Sequence, residues 1–498
     1  MKILDIIFYV VLCMCATLAF FIYNMHTDLY FPANNVDNSH SFSGYEKDSF
    51  RLPFNNIDSI NLVKISNERY LLSFMRNSKN SKNEIQNIES SLYGILFSPN
   101  KYSLQDNNGV WQNVAINSKS WGNLKLLATK NSLFSNTRQI VSNFRNPIFQ
   151  VVDNNLFLFV NGRNFKGFDT EKIYVFKSEI NDILNFLNTE NPLDSNIIES
   201  NLQDKQNINS KDSKNIESKI DKQNAVIVID AKSLNIDSNN IESNVQNSSK
   251  ISNIPTFTQF RFYKKITLGA LANLNYILSS KPLSINMDNK ENNFILPLYA
   301  KFFYPTSLFA IFDSTFHLKE MIRPNTQKSL YKPMITSVAQ YENDVNLDSN
   351  INHISRSCVA VFHNYFNKKL ENNQDSIESN ALRFQLCEAI NGVINFSELK
   401  DSKNITNISE MSLATLGNYT ILLYLDSKKT SLNLAIFENG DFTFLKTLDN
   451  ANFNAFSNPQ IITNGLYSYI TYIDKSQNMI NIITINESFI KDIKIDKG

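Results

Sequence analysis

A short pattern of residues recurs along this chain and limits the class of fold it can adopt. Each copy has an Asn, then a Gly or Asp, and an aromatic residue five positions after the Asn, and each follows a run of alternating apolar residues. The three copies are Glu179–Phe186, Ala389–Phe396 and Phe437–Phe444, and a looser fourth runs from Asp106 to Trp111. Repetition of a strand, a turn and an aromatic residue is typical of modular folds built from β-sheet.

The chemistry of the turn residues explains why such a unit would be stable. An Asn side chain accepts hydrogen bonds from backbone N–H groups two residues on, and Gly tolerates a positive φ. We expect the aromatic ring to pack beneath the next strand and so to fasten the hairpin. An ordinary Asn-Gly hairpin turn is the alternative, and the sequence leaves it open.

Six longer units indicate a ring of similar sheets. Most begin beside a Pro or a small residue, and all run into strands rich in aromatic residues. The units are Ile60–Phe74, Asn146–Val160, Leu271–Leu298, Lys332–Phe362, Met411–Tyr424 and Asn458–Ile473. Outside the N-terminus the sequence shows almost no helical periodicity, so we predict an all-β, six-bladed β-propeller that occupies residues 50–495.

An apolar segment at the N-terminus predicts attachment to a membrane. Ile6–Tyr23 is an uncharged run of 18 residues, about the length needed to cross a bilayer as a helix. We predict a signal anchor and transmembrane helix at 1–24 and a polar tether at 25–49, with the body in the periplasm or outside the cell. A cleaved signal peptide is the alternative. A polar stretch at about 191–253 predicts a disordered insertion in the propeller.

Charge and motif content argue against several functional classes. The chain has 48 basic and 47 acidic residues, without a basic patch that is interleaved with aromatic residues, so no nucleic-acid partner is expected. The five His residues lack the spacing of metal ligands, and there is neither a Gly-rich phosphate loop nor a nucleophile elbow. We therefore expect no metal and no cofactor.

Two of the four cysteines fall in consecutive predicted strands. Cys358 and Cys387 would lie opposite each other in a hairpin that is folded about the midpoint between them. The sequence leaves two outcomes open, a disulfide in an oxidising compartment or two unpaired buried thiols.

The repeats resemble the Asp box of sialidase-type (BNR-repeat) bacterial β-propellers, Ser-x-Asp-x-Gly-x-x-Trp. In this chain Asn stands in place of the Asp and Phe in place of the Trp. Strands that resemble those of the family include Leu71–Phe74 and Pro297–Tyr299. The resemblance extends over residues 57–485 and implies a six-bladed propeller with a glycan site.

The resemblance also implies a set of site residues. Sialidases hold the carboxylate of an anionic sugar with a cluster of Arg, because guanidinium forms bidentate bonds with that group. They use a Tyr nucleophile with a Glu partner, and an acidic proton donor. The candidates are Arg51, Arg76, Arg323 and Arg356 for the carboxylate, with Arg145 as a further Arg, Glu84 or Glu89 for the acid, and Tyr299 for the nucleophile.

Some positions depart from the family pattern and weaken the case for catalysis. Lys301 stands where relatives carry an acid, and Asn364 stands where they carry Asp. The sequence therefore predicts a membrane-tethered, sialidase-like propeller that binds a glycan or an envelope protein with weak or no catalysis. The alternatives are an exo-acting sialidase that releases terminal sialic acid-type sugars, and a hydrolase of another type.

The lining of the central funnel is the feature expected to distinguish these functions. Three converging Arg side chains with a Tyr–Glu pair would favour the enzyme. Asn, Lys and apolar groups would favour the binding protein.

Overall fold

The computed structural model describes residues 44–52, 57–78, 89–105, 110–115, 120–163, 171–189, 260–268, 276–288, 291–300, 306–324, 330–337, 356–364, 382–390 and 393–497. The segment 1–24 that was predicted to cross a membrane and the insertion predicted at 191–253 lie outside these ranges. Within them, no helix combines the length and the apolar character needed to cross a bilayer.

Strands form where apolar β-branched and aromatic residues run together, because such side chains pack well on a pleated surface. The strands are β1 (Tyr45–Arg51), β2 (Ile57–Lys64), β3 (Tyr70–Ser78), β4 (Glu89–Ser98), β5 (Lys101–Gln105), β6 (Trp111–Ala115), β7 (Ser120–Trp121), β8 (Lys125–Thr129), β9 (Asn143–Val152), β10 (Asn155–Arg163), β11 (Glu171–Glu179), β12 (Arg261–Lys265), β13 (Tyr276–Leu278), β14 (Leu283–Asp288), β15 (Glu291–Ala300), β16 (Thr306–Phe312), β17 (Leu318–Ile322), β18 (Leu330–Ser337), β19 (Arg356–Asn364), β20 (Leu382–Ile390), β21 (Val393–Phe396), β22 (Lys400–Asp401), β23 (Ile408–Leu416), β24 (Tyr419–Asp426), β25 (Ser431–Glu438), β26 (Asp441–Asn450), β27 (Phe456–Asn464), β28 (Tyr467–Asp474) and β29 (Met479–Asn486). The helices are α1 (Lys130–Phe134), α2 (Ile180–Asn188) and α3 (Glu487–Lys497).

Six antiparallel sheets form the six blades of a β-propeller. From the axis outwards, blade 1 is β2, β3 and β4 with β7 and β8, blade 2 is β9 to β12, and blade 3 is β13, β15, β16 and β17 with β14 beside β15. Blade 4 is β18, β19 and β20 with β21 and β22, blade 5 is β23 to β26, and blade 6 is β27, β28, β29 and β1. The prediction of an all-β, six-bladed propeller is confirmed, and each of the six sequence units spans the first two strands of one blade.

The ring is closed by the first strand, which joins the last blade. β1 runs antiparallel to β29 in unbroken register, from Tyr45 opposite Ile485 to Arg51 opposite Met479. The backbone hydrogen bonds of this pair tie the N-terminal end of the propeller to its C-terminal end. β1 begins inside the segment predicted to be a tether, so residues 45–49 belong to the propeller.

Aromatic side chains fill the seams between neighbouring blades. At the seam of blades 6 and 1, the rings of Tyr70 and Tyr469 are fully buried and their centroids lie 4.7 Å apart. At the seam of blades 2 and 3, Phe159 meets Phe316 edge-on at 5.3 Å. Burial of side chains of this size is the main stabilising contribution that each seam provides.

Aspartate side chains fix the turns that follow the second strands of blades 5 and 6. The Asp426 carboxylate accepts hydrogen bonds from the backbone N–H groups of Thr430 and Ser431 at 2.7 and 2.9 Å. The Asp474 carboxylate accepts one from the N–H of Ser476 at 2.9 Å. Carboxylate-to-backbone bonding of this kind stabilises a turn locally.

The repeat at Glu179–Phe186 is helical, so the prediction of a turn there is wrong. Helix α2 buries Ile180, Ile183 and Leu187 along one face. Their spacing of three and four residues is that of a helix, and it outweighs the turn preference of the Asn-Asp pair. Helix α3 likewise buries an apolar face against blades 5 and 6, which the expectation of almost no helical periodicity also missed.

The repeat at Phe437–Phe444 is an ordinary hairpin, the alternative that the sequence left open. Asn439 and Gly440 both have positive φ, 52° and 79°, as a two-residue type I′ turn requires. Phe442 is fully buried, whereas Phe444, the aromatic residue of the repeat, is 40% exposed. The expectation of a buried ring at this position is therefore wrong.

The two remaining copies are described only in part. Phe396, the aromatic residue of one, is half-buried and stacks on Phe309 with centroids 5.3 Å apart. The turn at 391–392 lies outside the described residues, as does most of the copy at 106–111.

Removing the phenyl group of Phe50 is expected to weaken the closure of the propeller. Phe50 lies in β1, is 1% exposed and stacks on Trp121 of blade 1 at 5.2 Å. Phe50→Ala should lower the free energy of unfolding by about 3–5 kcal/mol. The matched change Phe444→Ala should lower it clearly less, because that residue is 40% exposed whereas Phe50 is almost fully buried. Urea denaturation of both variants measures the difference, and equal effects would contradict the assignment of Phe50 to the seam.

Candidate functional site

Three of the six innermost strands carry the same backbone irregularity. Asn146, Lys332 and Asn458 have φ values of 49°, 47° and 54°, and each precedes a proline. At each of them the register with the second strand of the blade shifts. A bulge of this kind changes the direction of a side chain. All three residues line a cavity on the ring axis.

This central cavity has a volume of about 170 Å³ and receives residues from every blade. Its wall combines polar groups with apolar ones. Every blade contributes at least one polar residue to the wall, including, in blade order, Asn61, Asn146, Lys281, Lys332, Glu410 and Asn458. The wall also includes Tyr299 and the apolar side chains of Ile60, Ile148, Met334 and Met411.

Hydrogen bonds between wall residues connect neighbouring blades. The amide of Asn458 in blade 6 donates to the carbonyl oxygen of Asp58 in blade 1 at 2.7 Å. The amide of Asn61 in blade 1 donates to the carbonyl oxygen of Pro147 in blade 2. The shape of the cavity therefore depends on the closed ring.

The carboxylate of Glu410 is held by two partners. It lies 2.5 Å from the ammonium of Lys429 and accepts a hydrogen bond from the backbone N–H of Asn458 at 2.6 Å. Burial alone would raise the pKa of Glu410, but the charges of Lys332 and Lys429 and these hydrogen bonds outweigh it, so the pKa lies below its usual value. Glu410 is therefore an anion at neutral pH and a poor proton donor.

Lys281 reaches across the axis from blade 3 to blade 1. Its ammonium donates to the backbone carbonyl oxygen of Leu62. Burial disfavours the charged form and lowers the pKa of Lys281 to about 7. A substantial fraction of this amine is therefore neutral near pH 7.

Tyr299 lies beside a buried ion pair. Its ring meets that of Tyr331 edge-on at 4.6 Å, and Arg145 forms an ion pair with Glu171, which is 2% exposed. Burial raises the pKa of Tyr299 most, and Tyr331 and Glu171 raise it further, while Arg145 lowers it. Arg163 lies 3.7 Å from the same carboxylate. The Tyr299 hydroxyl is accordingly protonated at neutral pH.

The structure disperses most of the arginines predicted for a carboxylate site. Arg51 is exposed on β1, the outermost strand of blade 6, and Arg323 is exposed just after β17, the outermost strand of blade 3. Arg76 lies near the end of β3 and interacts with Tyr93. Arg145, the further arginine that the resemblance indicated, lies close to Tyr299.

The side chains of three predicted site residues lie outside the described part of the structure. Glu84 lies outside the described residues. Glu89 and Arg356 occupy the first positions of β4 and β19, but their side chains lie outside the described part of the chain.

The two strand cysteines are joined. Cys358 on β19 and Cys387 on β20 are direct cross-strand partners, form a disulfide and have Cα atoms 4.8 Å apart. The bridge lies in the buried interior of blade 4.

Sequence reasoning missed the residues that dominate the cavity, above all Lys281, Lys332 and Glu410. One signal was present, since Asn or Lys stands directly before Pro at the same place in three of the six units. From the sequence alone, these dipeptides indicate only the start of a strand. Lys281 and Glu410 carry no such signal.

Some solved structures are similar to this protein in fold, although their sequence identity to it is low. No protein-family model and no curated protein matches the sequence. An α-L-arabinanase of Penicillium chrysogenum complexed with arabinobiose is 9% identical, with a TM-score of 0.44 over 91% of this chain and 99% of that one. An α-L-arabinofuranosidase from Fusarium graminearum is 7% identical, with a TM-score of 0.42 over 90% and 99%.

A sialidase of Trypanosoma rangeli in complex with 2,3-difluorosialic acid is 9% identical, with a TM-score of 0.40 over 91% of this chain and 60% of that one. Sialidases, the family that the sequence resembles, are thus among the structures similar to this propeller.

Replacing Lys281 with Met is expected to stabilise the protein at pH 6 and to have little effect above pH 10. The pKa of Lys281 is about 7 in the folded protein and 10.5 for an exposed lysine. Below pH 7 the ammonium is charged in both states, so the folded state bears the full cost of its burial. That cost declines as the pH rises from 7 to 10.5.

The expected gain at pH 6 is about 1–4 kcal/mol. Urea denaturation at both pH values measures it, with Lys475→Met as the control at an exposed lysine. A gain that does not change with pH would contradict the burial of the Lys281 ammonium.

Proposed function

We propose that this protein is a glycan-binding propeller that takes one sugar ring into its central cavity and has weak or no hydrolytic activity. The proposal adopts the binding function that the sequence favours. Its support comes from the groups on the cavity wall and from the state of the one acid among them.

The main support for this proposal is the state of Glu410, the only carboxylate among the described wall residues. Its oxygens already have partners within the protein. Lys429 and the N–H of Asn458 hold it as an anion. Glycoside hydrolysis requires a carboxyl group that protonates the leaving oxygen, together with a nucleophile or base. Glu410 is unsuited to the first role, because its pKa is lowered.

The rest of the wall suits recognition of a polar ring. Asn146, Asn458 and Gln460 present amides, and Met334 and Met411 present apolar surface. Ser59 and Ser279 belong to the wall, and their hydroxyls form no hydrogen bond within the described part of the chain. A cavity of 150 Å³ accommodates a benzene ring, so a volume of about 170 Å³ suits a single ring better than an oligosaccharide.

The charge on the wall favours a sugar that carries a carboxylate. Glu410 forms its ion pair with Lys429, so the two lysines of the described wall, Lys281 and Lys332, form no ion pair with a carboxylate there. The Lys332 ammonium lies 5.5 Å from the centre of the Tyr331 ring. A Lys ammonium binds a carboxylate as a point charge.

A sialidase is the second candidate, and the group of Tyr299, Arg145 and Glu171 favours it. A Tyr nucleophile with a Glu partner is the arrangement that sialidases use. Against this, burial and Tyr331 keep the Tyr299 hydroxyl protonated, and Arg145 is paired with Glu171. The geometry therefore supports this function less well.

We propose in addition that residues 1–24 anchor the propeller to a membrane, with the body in the periplasm or outside the cell. The disulfide between Cys358 and Cys387 supports an oxidising compartment. An envelope protein is the alternative partner in this location.

Binding is tested by calorimetric titration of the full-length chain with two methyl glycosides, one of N-acetylneuraminic acid and one of galactose. We expect the carboxylated sugar to bind more tightly. Lys332→Gln should weaken that binding about tenfold, which corresponds to about 1.4 kcal/mol. The control Lys475→Gln, at an exposed site, should leave it unchanged. Absence of binding by both sugars would overturn the proposal.

Hydrolysis is tested with a fluorogenic sialoside. We expect no turnover above background, with the wild type and Tyr299→Phe indistinguishable. Release of the fluorophore that is lost in Tyr299→Phe, while the variant keeps the wild-type unfolding midpoint, would establish the sialidase instead.

A further inference from the structure

The Lys281 side chain connects two blades that are not neighbours in the ring. Its side chain leaves blade 3, borders the central cavity and ends at the carbonyl oxygen of Leu62 in blade 1. Among the residues that the structure describes, no carboxylate forms an ion pair with it. Lys281 is half-buried, and its ammonium lies at the cavity wall without a counter-ion among the described residues. A lysine that is desolvated in this way loses its proton readily and becomes a nucleophile.

Three other titratable groups line the same cavity and decide how Lys281 behaves. Glu410 is held by Lys429 and by the Asn458 N–H, so its charge is engaged elsewhere. The hydroxyl of Tyr299 is neutral, because burial raises its pKa. Lys332 supplies a positive charge on the wall. This combination places a nucleophilic amine and a carboxylate-binding cation in one small cavity.

We propose that Lys281 is a reactive amine that captures small 2-oxo carboxylic acids as an imine in the central cavity. The carboxylate of the ligand faces Lys332, and its keto carbon faces the Lys281 nitrogen. The cavity of about 170 Å³ has room for a ligand of this size.

Formation of the imine needs only the amine and the oxo acid, without an oxidant or a further reactant. The neutral Lys281 nitrogen attacks the keto carbon, the C=O oxygen takes up a proton, and a carbinolamine forms. The carbinolamine then loses its hydroxyl group and the nitrogen-bound proton as one water molecule, which leaves a C=N bond to Lys281. Hydrolysis reverses the sequence and releases the ligand.

The pKa of Lys281, about 7 because of burial, agrees with this role. An exposed lysine, with a pKa near 10.5, has only a minute neutral fraction at pH 7. Capture should therefore be fast at neutral pH, where exposed lysines react slowly.

The test is reductive trapping of the full-length chain with pyruvate and cyanoborohydride at pH 7, followed by peptide mass mapping. Lys281 should be modified at least about tenfold faster than the exposed Lys475 in the same sample. The initial rate at Lys281 should rise with pH to a midpoint near 7. Comparable modification of both lysines, or none at Lys281, would overturn the proposal.

Two variants complete the test. Lys281→Met should lose the selective modification while the unfolding midpoint at pH 7 stays at or above that of the wild type. Lys332→Gln should slow trapping by pyruvate about tenfold and leave trapping by acetone, which has no carboxylate, nearly unchanged. Equal trapping of pyruvate in Lys332→Gln and the wild type would overturn the assignment to oxo acids.

The inference is independent of the glycan proposal. Methyl glycosides have no ketone or aldehyde group and therefore cannot form an imine with an amine. Failure of glycan binding and failure of pyruvate trapping are therefore separate outcomes.

Discussion

The pairing of β1 with β29 is the constraint on which the rest of the structure depends. Seven residue pairs, from Tyr45 with Ile485 to Arg51 with Met479, join the two ends of the propeller. Single side chains, such as the amide of Asn458 on the carbonyl oxygen of Asp58, also join blades 6 and 1, whereas β1 joins the two ends along a whole strand and so holds the inner strands together at the axis. The cavity is made from single residues of six different blades, so its geometry is a consequence of closure.

The inner-strand bulges convert this ring into a site. Asn146, Lys332 and Asn458 adopt a backbone conformation that non-glycine residues rarely take. That strain is tolerated because the flanking strands fix the backbone on both sides, and it turns polar groups towards the axis. The resulting wall places Lys281 and Lys332 near an anion, Glu410, that is already neutralised by Lys429. The one carboxylate among the described wall residues is therefore already paired, and this supports the proposed binding function better than glycoside hydrolysis.

The architecture could be predicted from the sequence and most of the site could not. Six units of aromatic strands, most of them beginning beside a Pro or a small residue, indicated the six blades. Each unit contains the inner hairpin of a blade, and the alternation of apolar residues in a hairpin is a local pattern. The Asn repeats were less informative. The residues at Asn181 and Asn439 follow the same pattern. The apolar spacing around Asn181 nevertheless produces a helix, whereas the residues around Asn439 produce an ordinary type I′ turn.

The site residues were more difficult to predict from the sequence. Lys281 and Glu410 lie more than a hundred residues apart in the chain and line one cavity only in the folded propeller. The resemblance to sialidases indicated Tyr299, which lines the cavity, and several arginines, whose positions depend on side-chain directions that no local pattern encodes.

A cross-link between β1 and β29 tests the closed ring most directly. Glu46 and Thr484 are register partners, so the double variant Glu46→Cys, Thr484→Cys should form an intramolecular disulfide under mild oxidation, identified by peptide mass mapping. The mismatched pair Asp48→Cys, Thr484→Cys should form much less of it, because those positions are two residues out of register. A high yield for the matched pair and a low yield for the mismatched pair is the predicted result. Equal yields, or no cross-link in the matched pair, would contradict the closure and with it the central cavity.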